Sequence, residues 1–372
     1  MRVVLIVMAL VVILVGTSEQ SYSKALGPCS NCHTMYNSSD DGLLNFDDTD
    51  IPDTTLITGT CYGCHAQGGP NPTIKIGHII VPQVMHSGKS NLAGGNFGYI
   101  TGLVGSGAAD NKGHNISGLT GADYSFPQNS SLPGRFKENV HDESRFNARD
   151  LRCAGNNGCH AYRNYEPGTT LRGVHHNNVD GQLNQATEPG NSYRFLMGVK
   201  GFESSDWQEN PTIENHNEYF GLSTPVQLGC SAVSCHNGPG RLVQSPNGTM
   251  SQFCATCHGN FHTLATGDSD GIGSTATSPF IRHPTDLSLP STGEFGAFTV
   301  YNLDAPVARL NVPDAASSVV TPGEDAVMCL TCHVAHASNY PDMLRWDYTG
   351  LVAGKAGTAT GNGCFICHSG KE

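Results

Sequence analysis

The fourteen cysteines of this 372-residue chain fall into seven consecutive pairs, and a histidine directly follows the second cysteine of every pair. The pairs with their histidines are Cys29/Cys32-His33, Cys61/Cys64-His65, Cys153/Cys159-His160, Cys230/Cys235-His236, Cys254/Cys257-His258, Cys329/Cys332-His333 and Cys364/Cys367-His368. Because only 17 residues are histidine, seven such neighbours in seven pairs would arise by chance on the order of once in a billion. Seven disulfides are the alternative for an exported protein, but they would not explain the histidines.

Each pair with its histidine has the residue types that attach a haem covalently. The two thiols add to the two vinyl groups, and the imidazole reaches the iron as its proximal ligand. In the spacing C-x-x-C-H the three side chains stand at positions i, i+3 and i+4, on one side of a helical turn. Structural zinc sites are another alternative. They take four cysteine or histidine ligands from paired knuckles, and a series of Cys–Cys–His motifs is explained without such pairs. We therefore predict seven covalent haem c groups.

Two of the seven motifs have longer spacers. Four residues, SAVS, separate Cys230 from Cys235, and five residues, AGNNG, separate Cys153 from Cys159. Glycine and asparagine tolerate left-handed turns, so AGNNG can loop outward and return the second cysteine beside the first. A local disulfide is the alternative there, and it would leave His160 without a role.

Ten further histidines are available as second, distal ligands of the iron atoms. Adjacent residues point apart, so His175 and His176 can serve two different haems. His336 and His262 follow a proximal histidine by three or four residues and are expected to serve a neighbouring haem. The distal candidates are His114, His175, His176, His216, His262, His283 and His336, with His78, His86 and His141 in reserve. Since histidine is in surplus, methionine ligation is not favoured.

The composition bears on how these motifs are held. Glycine makes up 45 of 372 residues, and large apolar side chains are sparse for a chain of this length. We predict mostly irregular coil with short helices and few short strands, wrapped around a chain of closely packed c-type haems, with no conventional hydrophobic core. Helices are expected on the C-x-x-C-H turns. Short strands are expected at 78–85 and 96–104, and a hairpin at 294–312.

The N-terminal residues are typical of a signal peptide. Thirteen apolar residues follow Arg2, and small and polar residues come next. That run is shorter than the roughly 20 residues of a membrane span, which disfavours an anchor. We predict a signal peptide at 1–18 and one multihaem unit at 19–372. The haem regions within this unit are 24–125 for the first two motifs, 126–225 for the third, 226–280 for the fourth and fifth, and 281–372 for the last two.

The motifs resemble those of multihaem c-type cytochromes of metal-reducing bacteria. The stretch GPCSNCHTMYNSSDDG at 27–42 is similar to the first haem motif of outer-surface cytochromes, including kinds that polymerise into conductive filaments. The stretch MCLTCHVAHASNYPDMLRWDY at 328–348 resembles the doubled C-x-x-C-H repeat, and the spacer at Cys230 resembles that of the cytochrome c3 group. Those relatives usually carry histidine where this chain has Tyr36, which puts the local distal ligand in doubt.

The expected function is long-range electron transfer through low-spin, bis-histidine haems in extracellular respiration. An iron with histidine on both sides has no open position, so we do not expect an enzyme. A multihaem oxidoreductase with one open haem is the alternative; nitrite-reducing relatives replace the histidine of one motif by lysine, and no motif here does so. A structural component of an envelope complex is a third interpretation.

Assembly and partners are less constrained by the residues. Motifs lie near both ends of the chain, so a head-to-tail homopolymer could continue the electron path, and an open heterologous contact produces filaments. A monomeric periplasmic or surface electron shuttle is the alternative, because motifs near both ends of the chain could equally contact redox partners. Expected partners are other redox proteins or extracellular acceptors such as metal oxides. The formal charge of −12 argues against nucleic-acid binding. We expect an exported protein without a membrane span, extracellular or on the outer surface, with the periplasm as the alternative.

Overall fold

The computed structural model describes residues 27–39, 42–46, 50–51, 53–105, 107–120, 150–155, 157–162, 174–176, 188–225, 248–262, 283–349 and 363–369. The signal peptide predicted at 1–18, the fourth motif (Cys230, Cys235 and His236) and the reserve ligand His141 lie outside these residues. Within them, no helix is both long enough and apolar enough to cross a membrane.

The helices are short, and most of them carry a haem motif. The α-helices are α1 (Cys61–His65), α2 (Gly98–Thr101), α3 (Met250–Ala255), α4 (Cys329–Cys332) and α5 (Cys364–Cys367). Short 3-10 helices lie at Cys29–Asn31, Thr54–Leu56, Asp110–Lys112, Pro189–Asn191, Tyr193–Phe195, Gly259–His262, Gly293–Ala297 and Pro341–Met343. Threonine caps begin two of the α-helices, because Thr60 accepts a hydrogen bond from Gly63 N and Thr249 accepts one from Gln252 N.

The strands are equally short. They are β1 (Ser38–Ser39), β2 (Gly42–Leu43), β3 (Thr73–Ile76), β4 (Ile79–Pro82), β5 (Arg152–Ala154), β6 (Gly158–His160), β7 (Gly201–Phe202), β8 (Glu218–Phe220), β9 (Leu287–Ser288), β10 (Ala308–Arg309) and β11 (Ala326–Val327). Five of them form one sheet in the order β7-β8-β10-β11-β9, in which only β8 and β10 run parallel. Two-stranded pairs β1-β2, β3-β4 and β5-β6 make up the rest. The prediction of coil with short helices and few short strands is confirmed.

One of the two predicted strands forms and the other does not. The prediction at 78–85 is met by β4, which pairs with β3 across a turn where Gly77 has φ 59°. The prediction at 96–104 is wrong, because this segment forms α2. The side chain of Asn96 accepts a hydrogen bond from Gly98 N at 2.8 Å and so starts the turn, and Gly102 ends it with φ 79°.

The hairpin predicted at 294–312 is also wrong. Residues Gly293–Ala297 form a 3-10 helix, and β10 pairs with β8 and β11 instead of folding back on its own segment. Arg309 on β10 explains this choice, because its guanidinium binds both carboxylate oxygens of Glu218 on β8, at 2.8 and 3.2 Å, and also contacts Asp325. All three side chains are buried. A buried arginine needs such partners, and only the long-range pairing supplies them.

The apolar interior is divided among three small clusters, and each packs against cysteines of the motifs. The first cluster contains Tyr193, Val199 and Tyr219 and contacts Cys159 and Cys254. The second, around Leu289 and Val307, contacts Cys367, and the third, around Phe97 and Ile100, contacts Cys153. That the chain packs around haem groups remains a prediction.

Candidate haem attachment and ligand sites

The C-x-x-C-H motifs form single helical turns. The histidine N–H donates a hydrogen bond to the carbonyl of the first cysteine, four residues earlier; the pairs are His33 to Cys29 at 2.8 Å, and His258 to Cys254, His333 to Cys329 and His368 to Cys364, each at 3.0 Å. In the second motif all five residues lie within α1. This i to i−4 bond places both cysteines and the histidine on one side of the turn, as the covalent attachment of one haem requires.

The second cysteines of motifs two and five are held by the same turns. Cys64 lies inside α1, where its N–H donates to the carbonyl of Thr60 at 3.1 Å and its own carbonyl accepts from Nε2 of Gln83 at 2.8 Å. Cys257 follows α3, and its N–H donates to the carbonyl of Cys254 at 3.1 Å. The residues Cys64 and Cys257 are both partly buried. Their backbone positions suit the predicted attachment, but the haem bonds of Cys64 and Cys257 stay a prediction.

The stretched third motif reaches a similar arrangement by another route. Strands β5 and β6 pair in parallel, with Arg152 opposite Gly158 and Ala154 opposite His160, so Cys153 lies beside Cys159. Gly155 turns the chain with φ 93°, and Gly158 N donates to Gly155 O. A side chain at position 158 would lie 2.3 Å from the backbone of Ala154, so only glycine fits there. The spacer thus turns back at Gly155 and brings the two cysteines together, while its outward loop stays a prediction.

Five histidines of the motifs each face a second histidine from elsewhere in the chain. The ring centroids are 6.5 Å apart for His33 and His176, 6.3 Å for His65 and His175, 6.1 Å for His160 and His336, 6.2 Å for His258 and His114, and 6.3 Å for His368 and His283. Two imidazoles that bind one metal ion from opposite sides, each nitrogen about 2 Å from the metal, have centroids roughly 6 Å apart. The five gaps therefore fit a haem iron.

The hydrogen bonds of these rings fix which nitrogen is available. A main-chain carbonyl can only accept a hydrogen bond, so a ring whose Nδ1 faces one must carry its proton there, and Nε2 keeps its lone pair for a metal. Seven rings are held in this way: His33 by Thr55, His65 by Pro82, His160 by Arg194, His333 by Asp342, His114 by Ala335, His283 by Pro284 and His216 by Thr212, at 2.7 to 3.1 Å. His368 differs, because its Nδ1 faces a carboxylate oxygen of Glu294 at 3.0 Å.

Burial keeps several of these imidazoles neutral. Desolvation is the main cause that lowers the pKa of His114 and of His175 to about 4 and the pKa of His336 to about 3, and neighbouring histidines lower it further. The pKa values of His65, His283 and His333 are lowered by burial as well. Because a metal binds only the neutral imidazole, this environment suits ligands of iron.

Two of the distal candidates lie in another setting. Nε2 of His216 is 3.1 Å from a carboxylate oxygen of Glu218, and Nε2 of His262 is 3.0 Å from one of Asp286. Both rings are buried. Within the described residues these two rings face carboxylates, and the histidine of the fourth motif lies outside those residues.

The reserve candidates and the sixth motif are arranged differently again. His78 is exposed, whereas His86 is fully buried, with Nε2 lacking a hydrogen-bond partner. No second histidine ring stacks on His333 within the described part of the chain.

Contacts between thiols show which motifs are neighbours. The thiol of Cys61 lies close to that of Cys153, and their interaction is the main cause that lowers the pKa of Cys61 to about 7. The thiols of Cys254 and Cys329 interact in the same way, and the nearby thiol of Cys159 also raises the pKa of Cys254. The second motif therefore lies beside the third through their cysteines. The third, fifth and sixth motifs are neighbours in the same way.

The last two motifs are neighbours too. Burial, followed by the thiols of Cys364, Cys329 and Cys367, raises the pKa of Cys332 to about 12. The first and second motifs are linked through His176 and His175, which are adjacent in the chain and face one motif each.

Sequence reasoning missed the groups that orient the rings. Main-chain carbonyls such as those of Thr55 and Pro82 have no sequence signature, since every residue carries one. Glu294 stands in an ordinary turn-rich stretch, and only its contact with His368 distinguishes it. The buried group of Glu218, Arg309 and Asp325 was likewise not predicted.

Comparison with known proteins places these motifs in a class. Residues 321–372 match the family model of the doubled CXXCH motif. The C-type cytochrome OmcS of Geobacter sulfurreducens is 22% identical over 366 residues, which cover 88% of this chain and 80% of OmcS. The chain is therefore similar over most of its length to a C-type cytochrome, and its C-terminal residues match the doubled CXXCH motif.

Two solved structures are also similar. The outer membrane cytochrome S filament from Geobacter sulfurreducens aligns with a TM-score of 0.48 and 16% identity, over 90% of this chain and 88% of that one. The OmcS nanowires from the same organism align with a TM-score of 0.44 and 18% identity, over 87% and 84%.

Proposed function

We propose that this protein carries electrons over long distances through seven covalently bound haem c groups in extracellular respiration, as the subunit of a polymeric cytochrome filament. The observation that carries the proposal is the set of five histidine pairs with ring centroids 6.1 to 6.5 Å apart. Each pair joins one motif histidine to one distal candidate, so a six-coordinate site results at each. Haem supplies an iron that gains or loses one electron without needing an open position.

The chain's own residues would hold each group in three ways. The two cysteines of a motif would anchor it, the motif histidine and its partner would bind the iron, and a main-chain carbonyl keeps one ring of each pair in the required tautomer. The five sites pair His33 with His176, His65 with His175, His160 with His336, His258 with His114, and His368 with His283. His216 and His262 have no ligand role in this proposal, because carboxylates already bind their Nε2 atoms.

The thiol contacts support an order for the electron path. Motif one adjoins motif two through His176 and His175, and motif two adjoins motif three through Cys61 and Cys153. Motif three adjoins motif five, five adjoins six, and six adjoins seven. In our proposal these neighbours form a continuous path along the order one, two, three, five, six, seven.

Exposed apolar residues beside the first motif support assembly into a polymer. Met35, Tyr36 and Ile51 are 74%, 76% and 74% exposed, and Leu43, Leu44 and Phe46 add to the same segment. Large apolar side chains exposed together are typical of protein interfaces. We propose that this surface contacts the next subunit outside the cell, and that the path ends on extracellular acceptors such as metal oxides or other redox proteins.

Two measurements on the purified protein test the proposal. Mass spectrometry should give the mature polypeptide plus seven haems, and electron paramagnetic resonance should show ferric haem that is low-spin throughout. Electron microscopy of material sheared from cells should show filaments. A mass with fewer than seven haems contradicts the haem count, and a high-spin fraction that shifts with substrate would favour the oxidoreductase alternative. A monomer in the microscope would favour a shuttle.

A further inference from the structure

We infer that Glu294 is a positioning residue that lowers the reduction potential of the seventh haem site. This inference rests on the proposed role of His368 as an iron ligand. In the other histidines whose Nδ1 is held, the acceptor is an uncharged main-chain carbonyl, at 2.7 to 3.1 Å. In His368 the acceptor is the carboxylate of Glu294, at 3.0 Å.

The position of Glu294 is fixed by contacts on both sides. It lies in the 3-10 helix Gly293–Ala297, and the next residue, Phe295, packs edge-on against the ring of His368 with centroids 5.0 Å apart. The hydroxyl of Ser369 also donates to the carbonyl of Glu294 at 3.4 Å. The 3-10 helix therefore packs against the last motif. This packing fixes the backbone of Glu294 so that its carboxylate points at Nδ1 of His368.

The pair is only partly open to water. The side chains of Glu294 and His368 are 18% and 26% exposed, so solvent screens their interaction incompletely. The other ring of the site, His283, donates from Nδ1 to the carbonyl of Pro284 at 2.9 Å. The seventh site thus has one carboxylate-bonded and one carbonyl-bonded imidazole.

The charge of the acceptor changes what the ligand donates to iron. A carboxylate that accepts the Nδ1 proton bond increases the basicity of the imidazole, and a more basic ligand stabilises the ferric state. The proton stays on Nδ1, so no atom is transferred. The seventh site then has a lower potential than the sixth, whose cysteine Cys332 lies beside Cys364 and Cys367. An electron on the seventh site passes to the sixth downhill, which makes the seventh site the entry end of the path.

The test compares two substitutions that remove one negative charge each. Glu294→Gln leaves an amide oxygen as an acceptor but removes the charge from the hydrogen bond to His368. Asp342→Asn is the matched control, because His333 donates to the main-chain carbonyl of Asp342, so the charged side chain, which accepts from Tyr348, acts on that ring through space and not through a hydrogen bond. Redox titration of the intact protein, followed by visible spectroscopy, resolves the haem that shifts.

We expect Glu294→Gln to raise the potential of one haem so that its ferric-to-ferrous equilibrium changes tenfold or more, which is about 59 mV for a one-electron couple. Asp342→Asn should change every haem less. Equal shifts in the two variants, or no shift in Glu294→Gln, would overturn the inference. Loss of a haem or of low-spin signal in the unsubstituted protein would instead contradict the proposed function.

A second variant covers the case in which Glu294→Gln does not mature. Glu294→Asp keeps the charge but shortens the side chain by one methylene, which lengthens the hydrogen bond to His368. With all seven haems present by mass, the same haem should shift upward by a smaller amount. An unchanged titration of that variant would also overturn the inference.

Discussion

His175 and His176 are neighbours in the chain, yet their rings face the histidines of two different motifs. The ring of His175 faces His65 at 6.3 Å, and the ring of His176 faces His33 at 6.5 Å, with interplanar angles of 15° and 20°. A short segment thereby holds the first two motifs next to each other. Successive side chains point apart, so two consecutive ligands can serve two irons.

The first prediction concerns these two residues. His175→Ala and His176→Ala should each convert about one of the seven haems from low-spin to high-spin, because each substitution removes one axial ligand. Electron paramagnetic resonance measures the conversion, and the double variant should convert two. His78→Ala, which changes an exposed histidine, is the control and should leave the spectrum unchanged. A single variant that affects two haems, or none, would contradict the pairing.

A second prediction separates ligand histidines from structural ones. His216→Gln and His262→Gln should keep every haem low-spin, because Nε2 of each wild-type ring is bound by a carboxylate. They should lower the free energy of unfolding by about 1–3 kcal/mol, since Glu218 and Asp286 are buried and lose a partner. His336→Gln is the comparison and should produce a high-spin signal. High-spin haem in either of the first two variants would show that the ring does bind iron.

The third prediction concerns the buried arginine. Arg309→Met should destabilise the protein by about 3–5 kcal/mol, because it leaves Glu218 and Asp325 charged and buried without their cation. Arg152→Met removes the exposed pair with Asp150 and should cost only about 0–1 kcal/mol. Denaturant unfolding of both variants makes the comparison. Equal losses would mean that the buried group contributes no more than a surface pair.

A fourth prediction follows from the buried imidazoles. Burial lowers the pKa of His114 and His175 from 6.5 to about 4 and that of His336 to about 3. Below pH 6.5 the unfolded chain binds protons at these residues while the folded chain does not, so stability is fully present above pH 6.5 and falls as the pH drops. Iron binds the same nitrogens as the protons do, so protonation at low pH also weakens iron binding and lowers the stability of the folded protein further.

Each of these three residues should contribute a loss of about 2 kcal/mol by pH 5. Unfolding free energies measured at pH 7, 6 and 5 check this. His175→Ala, which removes one of the three groups, should show a shallower decline. A stability that is constant over this range would contradict the prediction.

The sequence by itself determined the covalent chemistry. Cysteine, cysteine and histidine act within one turn of chain, so their spacing alone identifies a haem attachment motif, and the glycine and asparagine of the 153–159 spacer are enough to predict an outward loop. The same local reasoning failed for residues 96–104, where the side-chain cap of Asn96 favours a helical turn over the strand that the apolar residues suggested.

Only the tertiary structure decided which histidine faces which motif and what orients each ring. The ring of His336 faces that of His160, and bridges from Gly95 and Gly113 to Ala337 hold the segment of His336; these long-range contacts have no signal in any one segment. The acceptors for Nδ1 are mostly main-chain carbonyls, which every residue possesses, so no residue type marks them. The exception, Glu294, became distinguishable only through its 3.0 Å contact with His368. Covalent attachment is local and can be read from spacing, whereas ligation and tuning depend on long-range contacts that the order of residues does not state.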